Sequence, residues 1–188
     1  MNNKHSHESG LTLIELLAVL ALMSIISFFL VPIVIQSTET TREIQIQNSI
    51  RDEADLIVSK LVKSLYETNK AHIIQNQTGT GYSYLNITND PSKCKKDNSG
   101  AIIVDTACIN TFKKIGFVTT GGITKLVLKD EEYEVMNKNI SILSDSKIIG
   151  DPTSAKSYEI SLKLQYKSNR KGNNLLKTIE FKNIIQPY

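Results

Sequence analysis

The sequence is short of the residues and motifs that catalysis or metal binding would need. Among its 188 residues there are 3 histidines and 2 cysteines. No G-x-S-x-G nucleophile motif occurs, and the segment Gly121-Gly122-Ile123-Thr124-Lys125 lacks the spacing of a phosphate-binding loop. We therefore find no candidate catalytic residue and no metal site, and we expect neither enzyme activity nor a cofactor.

Excess charge of one sign is also missing. The 22 lysines and arginines against 19 aspartates and glutamates leave a net charge of +3. That balance is too small to predict a nucleic acid or a membrane surface as the partner. No internal repeat or extended low-complexity tract occurs either, so the composition predicts one modest globular domain beside any membrane anchor.

What the sequence does contain is one long apolar run at residues 11–35. As a helix it would be roughly 37 Å long at about 1.5 Å per residue, enough to cross a hydrocarbon core of about 30 Å. No small-x-small cleavage site follows it, no cysteine lies at its edge for lipidation, and no paired arginines precede it. The run is interrupted by five residues: Thr12, Glu15, Ser24, Ser27 and Pro32.

Glu15 is the discordant residue, because a charge in the middle of a membrane helix costs about 2.5–3.5 kcal/mol on insertion scales. One interpretation is that its carboxylate extends to the lipid headgroups. The other is that it has a partner. Cleavage after Gly10 would leave a terminal amine on Leu11, with a reference pKa of roughly 7.7–8.0. That amine is poorly placed to reach Glu15 within one helix, but the amine of a neighbouring subunit could do so.

The segment Gly10-Leu11-Thr12-Leu13-Ile14-Glu15-Leu16-Leu17, followed by a long apolar helix, closely resembles the class III signal of type IV pilins and pseudopilins. The resemblance implies cleavage after Gly10 by prepilin peptidase and methylation of the Leu11 amine. It also implies that Glu15 pairs with the amine of an adjacent subunit during filament assembly. Two departures from the family pattern are Leu11, where phenylalanine is common, and Glu8-Ser9, where basic residues are common.

Pro32 is a second match to this family. A proline within a helix removes one hydrogen bond and clashes with the carbonyl four residues earlier, here that of Phe28, at a cost of about 3 kcal/mol. The resemblance implies that the helix bends or loosens at Pro32 when it packs in a filament. The alternative is a tolerated transmembrane proline.

The helix is predicted to continue beyond the membrane, to about residue 69, for a total length of roughly 90 Å. Residues 36–45 are polar and threonine-rich, so we expect a looser joint there. Beyond it, apolar residues recur at helical spacing and predict an amphipathic face that packs on a sheet; they are Ile50, Ala54, Ile57, Val58, Leu61 and Leu65.

The remainder of the chain has strand-like patterns. Residues 158–166 alternate between apolar and polar, and a turn-rich link joins them to residues 175–185, which predicts a terminal antiparallel hairpin. Residues 123–129 and 133–136 predict a second hairpin around a charged tip that includes Asp130, Glu131 and Glu132. Residues 140–149 predict a further strand, and residues 79–100 a long surface excursion.

These patterns predict an α+β, pilin-like fold, in which a long N-terminal helix packs with its amphipathic second half on a C-terminal antiparallel sheet. The expected divisions are a leader peptide at 1–10, a transmembrane helix at 11–35, an amphipathic extension of the helix at 36–72 and a globular β-rich head at 73–188.

The two cysteines, Cys94 and Cys108, both lie in the predicted head. A disulfide between them would close a short loop and stabilise the fold by about 3 kcal/mol. The predicted topology puts them outside the cytoplasmic membrane, where disulfides persist. Zinc binding is the rival interpretation, but two sulfurs without nearby histidines make a poor zinc site.

Three other groups of polar residues could form sites. Lys93, Lys95 and Lys96 could touch DNA phosphates, but no aromatic residues are interleaved with them. The adjacent carboxylates 130–132 are more typical of a solvated turn than of an acid–base or metal site. His5 and His7 precede Gly10, which leaves His72, and we expect it to be an ordinary surface side chain.

The sequence therefore predicts a structural subunit, a minor pilin or minor pseudopilin, of a type IV pilus-like or type II secretion-like filament. Its expected partners are other pilin or pseudopilin subunits, prepilin peptidase, the assembly platform and, before extraction, membrane lipid. We expect one pass through the cytoplasmic membrane with the head outside the cytoplasm, followed by entry into a surface or envelope filament. The alternative is a single-pass, membrane-anchored extracytoplasmic binding protein that does not polymerise.

Overall fold

The computed structural model of the chain describes residues 12–69, 72–79, 81–98, 102–150, 157–170 and 173–186. Contacts divide the chain into two units, Met1–Gln45 and Ile46–Tyr188. Helix α1 is assigned over Leu13–Tyr66 and supplies residues to both units. Among the described residues of the second unit, eleven strands, a 3-10 helix at Pro91–Lys93 and one short α-helix follow it.

The part of α1 in the first unit is apolar and exposed. From Leu13 to Ile35 every residue is exposed within the single chain, including Phe28 at 76% and Ile14 at 76%. This segment is long and apolar enough to cross a membrane. An apolar helix that is bare on all sides requires lipid or other protein around it.

Residues 36–45, where we expected a looser joint, are helical. The hydroxyls of Thr38, Thr40 and Thr41 donate to backbone carbonyls three or four residues earlier, at 2.7, 2.9 and 2.8 Å. These hydrogen bonds satisfy the polar side chains inside the helix itself, so threonine content alone does not interrupt it. The predicted continuous helix is therefore present through these residues, and a looser joint within it stays a prediction.

The second half of α1 has the predicted apolar stripe, and this stripe packs on the sheet. Its buried hydrophobic side chains are Ile46, Ile50, Ala54, Ile57, Leu61 and Leu65. They form one cluster with buried residues of the strands, among them Leu85, Phe117, Ile160 and Leu162. The predicted fold class is confirmed: a long N-terminal helix packs on a large antiparallel sheet.

The main sheet has nine strands, all antiparallel, in the order β1-β2-β5-β6-β8-β10-β11, with β7 paired to β6 and β9 paired to β10. A separate two-stranded sheet joins β3 and β4. The strands are β1 Ile73–Gly79, β2 Tyr82–Thr88, β3 Lys95–Lys96, β4 Ile102–Ile103, β5 Phe112–Thr120, β6 Ile123–Leu128, β7 Glu131–Tyr133, β8 Ile140–Ile142, β9 Lys147–Ile149, β10 Tyr158–Arg170 and β11 Asn173–Ile185. The second helix, α2, is Thr106–Ile109.

Both predicted hairpins are present, with differences in their bounds. Strands β10 and β11 pair over their whole length, from Tyr158 opposite Ile185 to Arg170 opposite Asn173. In the other hairpin, β7 begins at Glu131, so the turn is shorter than predicted and residues 134–136 lie outside the strand. The predicted strand at 140–149 is two short strands, β8 and β9, and both pair with β10.

The prediction of a surface excursion at 79–100 was wrong for its first third. Residues 82–88 form β2, which lies between β1 and β5 and buries Leu85 and Ile87 in the core. The glycines, asparagines and serines of the region suggested a loop by composition. The apolar alternation at Leu85 and Ile87 was the stronger signal, because burial on one face of a sheet determines a strand.

Two close contacts hold elements of the second unit together. The carboxylate of Glu53, a buried residue of α1, accepts a hydrogen bond from the backbone N–H of Met136 at 2.9 Å. Tyr133 lies near this carboxylate, and its burial first and the negative charge of Glu53 second raise the pKa of its hydroxyl.

The second contact is a close approach of the backbones of β2 and β5 at Gly116. Gly116 has φ 139°, and a Cβ there would lie 2.6 Å from the carbonyl oxygen of Ser83.

Candidate functional site

The start of α1 brings together two residues of the predicted processing and assembly segment. The backbone N–H of Thr12 and its hydroxyl each donate to Oε2 of Glu15, both at 2.8 Å. In return, the Glu15 backbone N–H lies 3.4 Å from the Thr12 hydroxyl oxygen. This reciprocal pattern is a capping box, in which a threonine and a glutamate three residues later satisfy backbone donors at a helix start.

The predicted cleavage and methylation residues, Gly10 and Leu11, lie outside the described residues. The first residue that the structure describes is their neighbour Thr12. It is exposed, and helix α1 begins at the next residue, Leu13. The carboxylate of Glu15 is therefore held by two hydrogen bonds from Thr12. Thr12 was the residue that the sequence interpretation missed, although its spacing from Glu15 was a readable capping signal.

Pro32 lies in the interior of α1, which is helical on both sides of it. Because proline has no backbone N–H, the Phe28 carbonyl receives no helical hydrogen bond from position 32. The neighbouring rings of Phe28 and Phe29 are in an edge-to-face arrangement with centroids 5.7 Å apart. Nothing in this geometry tests a bend in a filament, so the role of Pro32 stays a prediction.

Cys94 and Cys108 form the predicted disulfide, with a Cα–Cα distance of 4.5 Å. Both cysteines are buried, Cys94 just before β3 and Cys108 in α2. Asp105 precedes α2 and accepts a hydrogen bond from the Cys108 backbone N–H at 2.9 Å. The bridge therefore encloses a small subdomain that contains the β3–β4 sheet and the capped start of α2.

The three lysines beside the disulfide do not form a purely cationic surface. Lys93 pairs with Asp90 at 3.6 Å, and Lys95 pairs with Asp105 at 3.3 Å. Lys96 is exposed on β3. Since two of the three charges are paired with carboxylates, this geometry adds nothing to the weak DNA-binding hypothesis.

The carboxylates at 130–132 belong to a hairpin with surface ion pairs. Asp130, in the turn, pairs with Lys113, and Glu132, in β7, pairs with Lys125 at 2.8 Å. The hydrogen bonds that the Lys125 ammonium donates to the carboxylates of Glu132 and then Glu134 raise the pKa of Lys125 to about 12. Within the described ranges, the structure contains no group of three or more histidine, cysteine, aspartate or glutamate residues that could hold a metal ion.

An open cavity of about 440 Å³ lies between α1 and the turn that joins β6 to β7. Charged side chains of both signs surround it, with a leucine at one wall; the lining residues are Lys60, Lys63, Ser64, Glu67, Leu128, Lys129, Asp130 and Glu131. His72, just before β1, is not among them. The cavity is therefore a charged groove in which Ser64 is the one hydroxyl side chain.

Comparison with protein families gives a match at the N-terminal end of the chain. Residues 5–31 match the family described as the prokaryotic N-terminal methylation motif. This motif is the signature of type IV pilins and pseudopilins, so the N-terminal segment of the chain carries the type IV pilin signature and supports a pilin-like protein. In general terms the motif implies processing by prepilin peptidase and interaction with other pilin subunits.

The matched residues include Gly10, Leu11, Thr12 and Glu15, and they end one residue before Pro32. Comparison with curated proteins and with solved structures found no significant match. The family match thus covers the processing segment and most of the apolar helix, and it does not extend to the head.

Proposed function

We propose that this protein is a minor pilin or minor pseudopilin, a structural subunit of a type IV pilus-like or type II secretion-like filament. The observation that carries the proposal is the combination at the N-terminus: a pilin-type motif leads into an apolar helix segment that is exposed on every side and begins with a carboxylate. A helix of this kind is suited first to lipid and then to a bundle of identical or related helices.

The processing step rests on Gly10 and Leu11. Cleavage after Gly10 by prepilin peptidase leaves a basic amine on Leu11, and methylation keeps that amine basic. Until extraction the chain is a single-pass protein of the cytoplasmic membrane with its head outside the cytoplasm. The assembly platform of the filament machine then moves the helix from lipid into the growing filament.

Glu15 supplies the register of assembly. A carboxylate in an apolar bundle is costly unless it is paired, and the amine of an adjacent subunit is a partner of opposite charge. The Thr12 hydrogen bonds occupy Oε2 of Glu15. A carboxylate has about four lone-pair sites, so the incoming amine can bind while the helix cap remains. Pro32 removes one helical hydrogen bond and so provides a point where the helix can loosen during packing.

The first test is the intact mass of the protein recovered from cell envelopes, with and without prepilin peptidase. The expected product is a chain that begins at methylated Leu11 and is formed only when the peptidase is present. An intact Met1 start in the presence of the peptidase, or a cut at another position, would contradict the proposal.

The second test is incorporation of Glu15→Ala and Glu15→Asp variants into sheared filaments. We expect the alanine variant to be cleaved normally, to stay in the membrane and to be missing from filaments. The aspartate variant keeps the charge and should retain part of the incorporation. Normal incorporation of Glu15→Ala would show that the carboxylate has no assembly role.

The alternative is a single-pass, membrane-anchored extracytoplasmic binding protein that does not polymerise, and the cavity between α1 and the β6–β7 turn is the observation that favours it. Substitution of Glu15 would then leave ligand binding intact, and Lys63→Glu would reduce it. We expect no enzyme activity under either function, since the pilin-type signature belongs to a structural family.

A further inference from the structure

Strands β9, β10 and β11 carry exposed apolar side chains on the outer face of the main sheet. Glu159 of β10 lies opposite Ile149 of β9 and opposite Ile184 of β11. Residues directly opposite one another share a face, while the neighbours of Glu159, Tyr158 and Ile160, are buried in the core on the other face. Ile149 is 40% exposed and Ile184 is 69% exposed. We call these two side chains the isoleucine row.

Two lysines follow one step along the same face. Ser161 lies opposite Lys147 of β9 and opposite Lys182 of β11, about 6.6 Å along the strands from the isoleucine row. Lys147 is exposed and has no ion pair among the residues that the structure describes. Lys182 lies 3.6 Å from Glu180, but its side chain is 62% exposed, and a surface pair of this kind is weak. Both ammonium groups can therefore bind a phosphate outside the chain.

The end of α1 marks one end of the second unit. Helix α1 finishes at Tyr66 and β1 begins at Ile73, so β1 starts at that end. The β6–β7 turn lies there too, because it borders the cavity that Lys63 and Glu67 of α1 also line. We call this the exit end of the unit, and we call the opposite end, which contains Ile46, the entry end.

Contacts of β7 and the residues after it with α1 give the direction of the strands. The Lys60 ammonium lies 4.7 Å from the centre of the Tyr133 ring, and further along the chain Met136 donates its backbone N–H to Glu53. From β7 to residue 136 the chain therefore runs from the exit end toward the entry end. Strand β6 is antiparallel to β7, and β8 is antiparallel to both β6 and β10. Strand β10 thus runs toward the exit end and begins at the entry end.

The isoleucine row lies close to the entry end. Ile142 of β8 lies opposite both Thr124 of β6 and Leu164 of β10. From that level β10 extends back five residues to Glu159, or roughly 17 Å at about 3.3 Å per residue. The isoleucine row is therefore nearer the entry end than the two lysines are.

A short stretch of chain joins the entry end to the apolar segment of α1. The apolar segment ends at Ile35 and the second unit begins at Ile46, with helical residues between them. At about 1.5 Å per residue this step is roughly 16 Å. Lipid headgroups occupy about 5–7 Å of it beyond the hydrocarbon core. Membrane helices are tilted by about 20° on average, which brings one side of the entry end closer to the lipid.

We propose, on the basis of the membrane anchor in the proposed function, that the isoleucine row rests in the lipid headgroup region before extraction, with Lys147 and Lys182 at the phosphates. The order of the side chains matches the membrane surface, because the apolar pair lies nearer the lipid and the ammonium groups lie one step further out. Since the head is tethered to the bilayer by its own helix, a weak contact is sufficient.

Glu159 places a carboxylate between the two isoleucines, and this charge has to be balanced. Lys147 and Lys182 are its diagonal neighbours on the same face, at a distance that long side chains can cover. Each lysine can partner Glu159 or a lipid phosphate while its aliphatic stem lies along apolar surface. The charges therefore keep the isoleucine row at headgroup depth and out of the hydrocarbon.

The sequence contains no tryptophan, so one introduced tryptophan is a specific probe of this contact. The full chain carrying Ile184→Trp is reconstituted in phospholipid vesicles whose acyl chains are brominated close to the headgroup. Leu176→Trp is the matched control, because Leu176 is 56% exposed on the same face of β11, eight residues or roughly 26 Å nearer the exit end. Bromine quenches tryptophan at close contact. We expect Ile184→Trp emission to fall at least about twofold and Leu176→Trp emission to be unchanged.

Flotation of the same vesicles separates the lipid contact from the anchor on which it depends. A chain that does not float with the vesicles has no anchor, and both proposals are then wrong. If the chain floats but Ile184→Trp and Ile149→Trp both escape quenching, only the lipid contact of the isoleucine row is overturned. Unquenched emission that shifts to the blue only at high protein-to-lipid ratios would assign the row to a second copy of the chain, which also overturns the lipid contact.

Charge reversal tests the lysines in the Ile184→Trp chain. Lys147→Glu with Lys182→Glu should restore most of the emission lost to quenching, because lipid phosphates repel carboxylates. Lys138→Glu with Lys167→Glu is the control, an equal charge change at two exposed residues nearer the exit end. It should leave the quenching unchanged. An equal loss of quenching in both double variants, or no loss in either, would overturn the proposed phosphate contact.

Discussion

Thr12 and Glu15 form a closed hydrogen-bonded unit at the start of α1, with two donors of Thr12 at 2.8 Å from one carboxylate oxygen. This unit gives Glu15 a function within its own chain, whether or not a neighbouring amine is present. It satisfies the first described backbone donor of the helix and fixes the position of the carboxylate. In the proposed filament the same carboxylate would then be oriented before the second subunit arrives.

We predict that Thr12→Ala loosens the first turn of α1. The substitution removes the hydroxyl, and a lost helix cap costs about 1 kcal/mol, or roughly a fivefold change in local opening. Hydrogen exchange of the amides at 13–16, measured on the chain in detergent micelles, should be faster by that factor. Thr12→Ser keeps the hydroxyl and should exchange at the wild-type rate.

A mid-helix change provides the control for this measurement. Ser24 donates its hydroxyl to the Leu20 carbonyl at 2.8 Å, so Ser24→Ala also removes a hydroxyl from the apolar helix. It should leave exchange at 13–16 unchanged. If Thr12→Ala and Ser24→Ala have the same effect there, the Thr12 hydroxyl does not stabilise the helix start.

Gly116 is predicted to tolerate no side chain. Its φ of 139° is unfavourable for other residues, and a Cβ would lie 2.6 Å from the Ser83 carbonyl oxygen and 2.7 Å from Tyr84 Cα. Since both atoms are backbone in a buried strand pair, Gly116→Ala should lower the free energy of unfolding by about 3 kcal/mol or more. The measurement is urea unfolding followed by tyrosine near-ultraviolet circular dichroism, because all 7 tyrosines lie at or beyond residue 66.

Gly121 is the matched control for Gly116. It also has a positive φ, of 60°, but no atom lies within 4 Å of a built Cβ. Gly121→Ala should therefore cost only the left-handed backbone conformation, about 1 kcal/mol. Equal losses at the two positions would mean that the β2–β5 approach at Gly116 contributes no steric restriction of its own.

Hydrophobic periodicity predicted the elements whose pattern was long and regular. The helical stripe from Ile50 to Leu65 predicted the second half of α1, and the alternation at 158–166 predicted β10. Both patterns are clear because one face of each element is buried. Composition was the weaker guide. It suggested a loop at 82–88, where Leu85 and Ile87 enter the core.

The contacts of the candidate site were also only partly predictable from the sequence. Glu15 was identifiable because a carboxylate in an apolar run is costly and needs an explanation. Its local partner Thr12 follows from the capping spacing, which was available in the sequence. The burial of Glu53 against Met136 was not predictable, because that hydrogen bond joins residues 83 positions apart and depends on the folded sheet.

We predict that loss of the Cys94–Cys108 disulfide destabilises the head without changing α1. The bridge spans a separation of 14 residues, and a loop of that size contributes about 3 kcal/mol in the chain-entropy account. Cys94→Ser with Cys108→Ser should lower the Tm of the tyrosine signal by roughly 10 °C. Reduced wild-type protein should give the same Tm, and an unchanged Tm in both would show that the bridge does not stabilise the fold.

Asp105 should give the head part of its sensitivity to acid. The Cys108 backbone N–H first, and the Lys95 ammonium in addition, hold the pKa of Asp105 below its ordinary value. A carboxyl group whose pKa is lowered by folding stabilises the folded state above its unfolded pKa of about 3.9, and this contribution is lost as the pH falls through the folded pKa.

Asp105→Asn keeps an oxygen acceptor for the Cys108 N–H but does not titrate. Between about pH 6 and pH 3, the Tm of the tyrosine signal should therefore fall further in the wild-type chain than in Asp105→Asn. Asp55→Asn, on an exposed position of α1, should follow the wild-type curve. Parallel curves for wild type and Asp105→Asn would show that the charge of Asp105 does not contribute to the stability of the head.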